Sequence, residues 1–137
     1  MNRVIKIYFD GGSRPNPGEM ETAVVVRGNV HHKTGRGIGS SEMAEWLALL
    51  DAVEIARALG IPDALFLGDS AAVVGQANGL ARPRSASVRA MHARFVESTA
   101  GFTRLRVRRI KREQNLAGIA LEQVRQKPQP PKERPRE

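Results

Sequence analysis

From residue 42 to residue 59 the chain has neither glycine nor proline, and Leu47, Leu50 and Val53 recur along one face at helical spacing. Ser41 stands where an N-cap is needed and Gly60 just past the end, so the spacing predicts a helix over residues 42–59. The segments around it have a different period. Residues 4–9, VIKIYF, are β-branched, aromatic and mostly apolar, and stop at Asp10-Gly11-Gly12, as a strand largely buried in a sheet would. Residues 13–18, SRPNPG, read as an ordered loop fixed by two prolines and a glycine. Residues 22–27 and 31–38 read as two more strands around the turn Gly28-Asn29. After the helix, residues 64–68 form a fourth strand ending at Asp69, and residues 70–76 restart as a helix. Residues 87–99 are helical by Val88, Met91, Phe95 and Val96; residues 105–108 alternate apolar with cationic as a fifth strand; residues 116–126 form the last helix. This order predicts an α/β fold, a mixed five-stranded sheet with helices on both faces.

The 137 residues suit one domain, residues 1–126, followed by a proline-rich basic tail over residues 127–137 that has too few apolar groups to fold. The absence of cysteine excludes disulfides and thiolate metal sites. No stretch reads as a signal peptide or membrane span, so a cytoplasmic protein, monomeric by default, is expected. The net charge of +8 is uneven: residues 1–79 hold seven Lys/Arg against nine Asp/Glu, residues 80–137 fifteen against five. A polyanionic partner such as duplex nucleic acid fits that asymmetry, as does a solvated basic surface.

Three acids occupy positions that folding alone does not favour. Asp10 and Asp69 each end a buried-looking strand, and strand ends are where open α/β sheets bind ligands. Glu45 heads the stripe Leu49, Ala52, Ala56 and Leu59. Singly, each has an ordinary role, as a turn or cap residue for the aspartates and as a helix-dipole partner for Glu45. Convergent, they would repel one another unless a cation neutralised them, and all-oxygen ligation points to Mg²⁺ or Mn²⁺.

The segments "IYFDGGSRPNPG", "SSEMAEWLALLDAV", "ALFLGDSAAVVGQANG" and "RIKREQN" resemble, in order and spacing, the core of the type 1 ribonucleases H, which cut the RNA strand of RNA–DNA hybrids. The resemblance implies that Asp10, Glu45 and Asp69 are three of four metal-binding carboxylates. It implies a two-ion mechanism in which one ion activates the attacking water and the other stabilises the leaving 3′ oxygen. Gly11, Ser13 and Asn16 match the loop that touches the hybrid's minor groove and backbone, where the 2′-hydroxyl marks RNA. Ser40 matches a hydroxyl that helps hold a phosphate of the DNA strand.

Departures from the family pattern are equally specific. The fourth carboxylate falls four residues after Asn115, at Ile119, and no aspartate follows Asp69. Glu113, in the preceding loop, and Glu122, one turn beyond Ile119, are the candidates to replace it. Glu42 stands where an asparagine commonly touches substrate. The connection before the third helix is too short for the basic protrusion of some relatives. Arg104, Arg106 and Arg108 on one strand face, followed by Arg109, Lys111 and Arg112, could compensate or merely protect a sheet edge. His31 and His32 point to opposite strand faces; His92 is expected in solvent and Trp46 in the core.

The resulting expectation is a metal-dependent endonuclease acting on RNA–DNA hybrids with weakened metal binding, one ion loosely held. The alternative is a hybrid- or duplex-binding module that has lost turnover, and a third reading is an accessory protein acting through a protein partner.

Overall fold

The computed structural model describes residues 3–126, so the expectation for the tail lies outside the described residues. Strands β1 (Ile5–Arg14), β2 (Gly18–Val26), β3 (Asn29–Lys33) and β4 (Ile38–Gly39) precede helix α1 (Ser41–Ala58). Strand β5 (Asp63–Gly68), helices α2 (Ala71–Ala77) and α3 (Ala86–Ser98), strand β6 (Arg104–Arg109), a 3-10 turn (Arg112–Gln114) and helix α4 (Leu116–Gln126) follow. The sheet runs β3-β2-β1-β5-β6, with β4 bonded to β2. β1 pairs antiparallel with β2 and parallel with β5, and β5 pairs parallel with β6.

Alternation along β1 and β2 builds two cores. Ile7, Phe9, Val24 and Val26 face α1, where Trp46, Leu49, Val53 and Ala56 bury against them. Tyr8, Ala23 and Val25 point to the other face, covered by Ala117, Ala120 and Leu121 of α4. Helices therefore lie on both faces of a mixed sheet, as the sequence predicts.

Several boundaries differ from expectation, each for a local reason. The sheet has a sixth strand, because the run expected at 31–38 is interrupted: Gly35 and Gly37 adopt φ of +63° and +94°, and the chain loops out before rejoining β2 at Ile38–Gly39. The loop turns Arg36 inward, where its Nη2 donates to Asp51 Oδ1 at 3.1 Å and its Nη1 to Thr22 Oγ1 at 3.1 Å. β1 does not stop at Phe9. Its parallel pairing with β5 ends at Tyr8↔Leu67, whereas its pairing with β2 continues to Arg14↔Glu19, so Asp10 lies where one edge of the strand opens. Arg14 is consequently strand rather than loop, and β2 begins at Gly18, before the expected residue 22. The N-cap of α1 is Ser40, not Ser41; its Oγ accepts from Met43 N at 3.1 Å. Leu59, the last member of the Glu45 stripe, is 48% exposed because α1 ends at Ala58. His92 is half-buried, its ring edge-on to Trp46 at 5.7 Å between centroids, while Trp46 is fully buried as expected. Among the described residues no helix is long and apolar enough to cross a membrane.

Candidate active site

Asp10, on the opened edge of β1, meets Asp69, which directly follows β5, across the end of the parallel pairing. Glu45 enters from the second turn of α1. One carboxylate oxygen from each lies within 4.8 Å of the others. Two properties of Gly11 bring the helix this close. Gly11 N donates to Glu45 Oε1 at 2.8 Å, and a Cβ on Gly11 would stand 2.1 Å from the Ala44 carbonyl oxygen, so only glycine lets α1 lie on β1 here.

The electrostatics follow from that geometry. Glu45 is 8% exposed, and among the described residues no backbone or side-chain donor reaches its buried Oε2. Burial first, then a proton shared with Asp10 and the charge of Asp10, push the Glu45 carboxyl up to about 10, against the pull of the Gly11 amide. Asp10 is raised too, chiefly by burial and by the charge of Asp69, although the Glu45 proton, Arg125 and Arg112 oppose the rise. Three clustered carboxyls, one with a buried oxygen that no donor reaches, fit a hard cation, which would replace the proton shared between Glu45 and Asp10.

Asn115 also supports the site, a role that spacing in the sequence does not reveal. It is 0% exposed; its Nδ2 donates to Phe9 O at 3.0 Å and to Asp69 Oδ2 at 2.8 Å, and its Oδ1 accepts from Ala117 N at 3.1 Å. It thereby caps α4, ties it to β1 and aims the Asp69 carboxylate. An asparagine immediately before a helical run is a capping signal that marks such a residue in sequence.

The other predicted positions divide into those at the cleft and those away from it. Gly11 and Ser13 line the cleft of about 380 Å³ that contains the three acids, together with Gly12, Ser70, Arg112 and Arg125. Asn16 lies in the adjoining turn, where its Oδ1 accepts from Ser41 N at 3.0 Å and from Ser13 Oγ at 3.4 Å. Ser40 lies beside them at the start of α1. Glu113 and Glu122 are exposed and outside the acidic cluster; Glu122 Oε1 accepts from Gln126 Nε2 at 3.2 Å. The 3-10 turn and the outward face of α4 hold them off. Ile119, in the first turn of α4, is 40% exposed and offers no oxygen. A Cβ on its neighbour Gly118 would lie 3.4 Å from Asp10 Oδ2. Glu42 Oε1 accepts from Gln76 Nε2 at 2.8 Å, and Gln76 Oε1 accepts from the Trp46 indole at 2.7 Å, so this carboxylate is fixed to the protein. Of the β6 arginines, Arg106 pairs with Asp63 at 3.7 Å, while Arg104 and Arg108 are exposed.

Comparison with known proteins places this geometry in a family. The reverse transcriptase-like family model matches residues 9–122. Ribonuclease HI of Halobacterium salinarum is 31% identical over 122 residues, 85% of this chain and 61% of that protein's length. The crystal structure of RNase H1 from the same halophilic archaeon superposes with a TM-score of 0.79 at 30% identity, covering 87% of this chain and 94% of that one. LC11-RNase H1, isolated from compost and solved in complex with an RNA/DNA hybrid, superposes with a TM-score of 0.75 at 28% identity, over 85% of this chain and 92% of that one. The chain belongs to the reverse transcriptase-like family and carries the type 1 ribonuclease H fold.

Proposed function

We propose that this chain is a metal-dependent endoribonuclease that hydrolyses the RNA strand of RNA–DNA hybrids, using Mg²⁺ or Mn²⁺. The observation that carries the reading is the convergence of Asp10, Glu45 and Asp69 within 4.8 Å at the open edge of the sheet. When bound, divalent cations supply the positive charge that stabilises the transition-state phosphate and makes water a better nucleophile. The three carboxylates hold that charge. The Gly11 amide fixes Glu45 Oε1, and the Asn115 amide fixes Asp69 Oδ2, so two of the three ligands are aimed before substrate arrives. Gly11, Ser13 and Asn16 form the rim for the hybrid's minor groove, with Asn16 held by the Ser41 amide. The Ser40 hydroxyl accepts from Met43 N, and its own hydrogen is available to a phosphate oxygen of the DNA strand.

With Ile119 in the fourth position, metal binding is weaker than four carboxylates would give, and one of two ions is held loosely. The same residue favours a second reading, a hybrid-binding module without turnover. A labelled hybrid incubated with the protein and Mn²⁺, with Asp10→Asn alongside, separates them. Cleavage abolished by the substitution supports the enzyme; retained binding without cleavage supports the module; the absence of both rejects each.

A further inference from the structure

Arg125, in the last turn of α4, shares the cleft with the acidic cluster although it is distant from it in sequence. Three features hold it there. Ala117 and Leu121 pack α4 onto Ala23, Val25 and Tyr8, which carries its end across β1 and β2. Glu21, the register partner of Gly12 on β2, accepts from Arg125 Nε at 2.6 Å, and its other oxygen meets His32 Nε2 at 3.2 Å. Gly12 leaves the room: a Cβ there would stand 2.6 Å from Arg125 Nη2. The clamp uses only Nε, and among the described residues neither Nη group has an acceptor. A guanidinium fixed by one edge, with its Nη groups free beside three carboxylates, is prepared for a bidentate oxyanion.

We propose that Arg125 is a phosphate-positioning residue that grips a backbone phosphate of the cleaved strand. This rests on the hybrid-cleaving reading above. A phosphate approaching three carboxylates meets repulsion, and a fixed cation on the rim offsets it. With no carboxylate at 119, no fourth anion competes for the guanidinium. The Glu21 clamp makes the placement specific, since the flexible side chain would otherwise lose entropy on every binding event.

The test is hybrid binding in Mg²⁺ by fluorescence anisotropy across a salt series, with the full chain carrying Asp10→Asn so that binding is read without turnover. Adding Arg125→Ala should weaken binding about tenfold and flatten the log–log salt slope by about 0.9, the signature of one lost phosphate contact. Arg125→Lys should restore most of the slope and part of the affinity. Glu21→Gln, which loosens the clamp but keeps the cation, should weaken binding with the slope unchanged. Arg27→Asn, at the hairpin turn away from the cleft, is the control, because asparagine tolerates the φ of 52° found there. If the parent binds hybrid and Arg125→Ala leaves the slope unaltered, the role assigned to Arg125 is wrong. If Arg125→Ala does not fold, Arg125→Lys and Glu21→Gln decide, and parental slope and affinity in both reject it. If the parent binds no hybrid, the functional reading fails, and this inference with it.

Discussion

Replacing Ile119 by aspartate adds a fourth anion beside the cluster, and the sign of its effect depends on whether a cation is present. A Cβ on the adjacent Gly118 would lie 3.4 Å from Asp10 Oδ2, so the first turn of α4 borders the acids directly. Two unit charges roughly 7 Å apart, at an effective dielectric of about 20, repel by about 2 kcal/mol. Because residue 119 is 40% exposed, solvent halves this to about 1 kcal/mol, or about 4 °C in thermal midpoint for a domain of this size. In chelator, Ile119→Asp should therefore melt about 4 °C below Ile119→Asn, which has the same size and no charge. In Mn²⁺ the order should invert: an added oxygen ligand should tighten the ion about tenfold, which adds about 1.4 kcal/mol at saturation. Thermal melts by circular dichroism, in chelator and along a Mn²⁺ titration, read both effects. If the two variants melt together under both conditions, residue 119 does not face the ion site, and the proposal that Ile119 weakens metal binding falls.

Three further outcomes follow from the site. The Glu45 carboxyl is raised from 4.5 to about 10 in the folded protein, so the native state holds a proton that the unfolded chain releases; metal-free stability should fall as pH rises from about 5 towards 9. Melts across that range, flattened by Mn²⁺ or by Glu45→Gln, check it; a midpoint that climbs with pH contradicts it. Asn115→Ala leaves the Phe9 carbonyl without its donor and Asp69 unaimed, costing about 3 kcal/mol by urea denaturation and about tenfold in Mn²⁺ affinity by calorimetry. Gly11→Ala drives a methyl into the Ala44 carbonyl at 2.1 Å and should cost more than about 3 kcal/mol, whereas Gly12→Ala, which meets only the flexible end of Arg125, should cost below about 1 kcal/mol in urea unfolding.

Much of this arrangement was legible because the relevant signals are local. A long run without glycine or proline and a terminal glycine placed α1 within one residue of its observed ends, although the capping serine is Ser40 and not the expected Ser41. Two apolar runs breaking at aspartates placed Asp10 and Asp69 at the end of one strand pairing. What escaped depends on partners distant in sequence. Glycines and prolines in the sequence end the first strand at residues 10–12 and make 13–18 a loop, yet β2 holds residues 10–14 in a strand on one side only. The looped segment that delivers Arg36 to Asp51 required knowing that α1 would bury that aspartate. Glu113 and Glu122 looked close to the vacancy at Ile119 because sequence spacing does not convey which way a short helical turn faces. Arg125 carries no sequence signal; its position depends on Glu21, Gly12 and the packing of α4 together.

The most direct test of the account is a strand-resolved digestion. A hybrid with differently labelled RNA and DNA strands is incubated with the protein in Mn²⁺, in chelator, and with Asp10→Asn. The account predicts RNA cut and DNA intact in Mn²⁺, with cutting abolished by chelator and by the substitution. Intact RNA at stoichiometric protein in Mn²⁺, or cutting that survives Asp10→Asn, would contradict it.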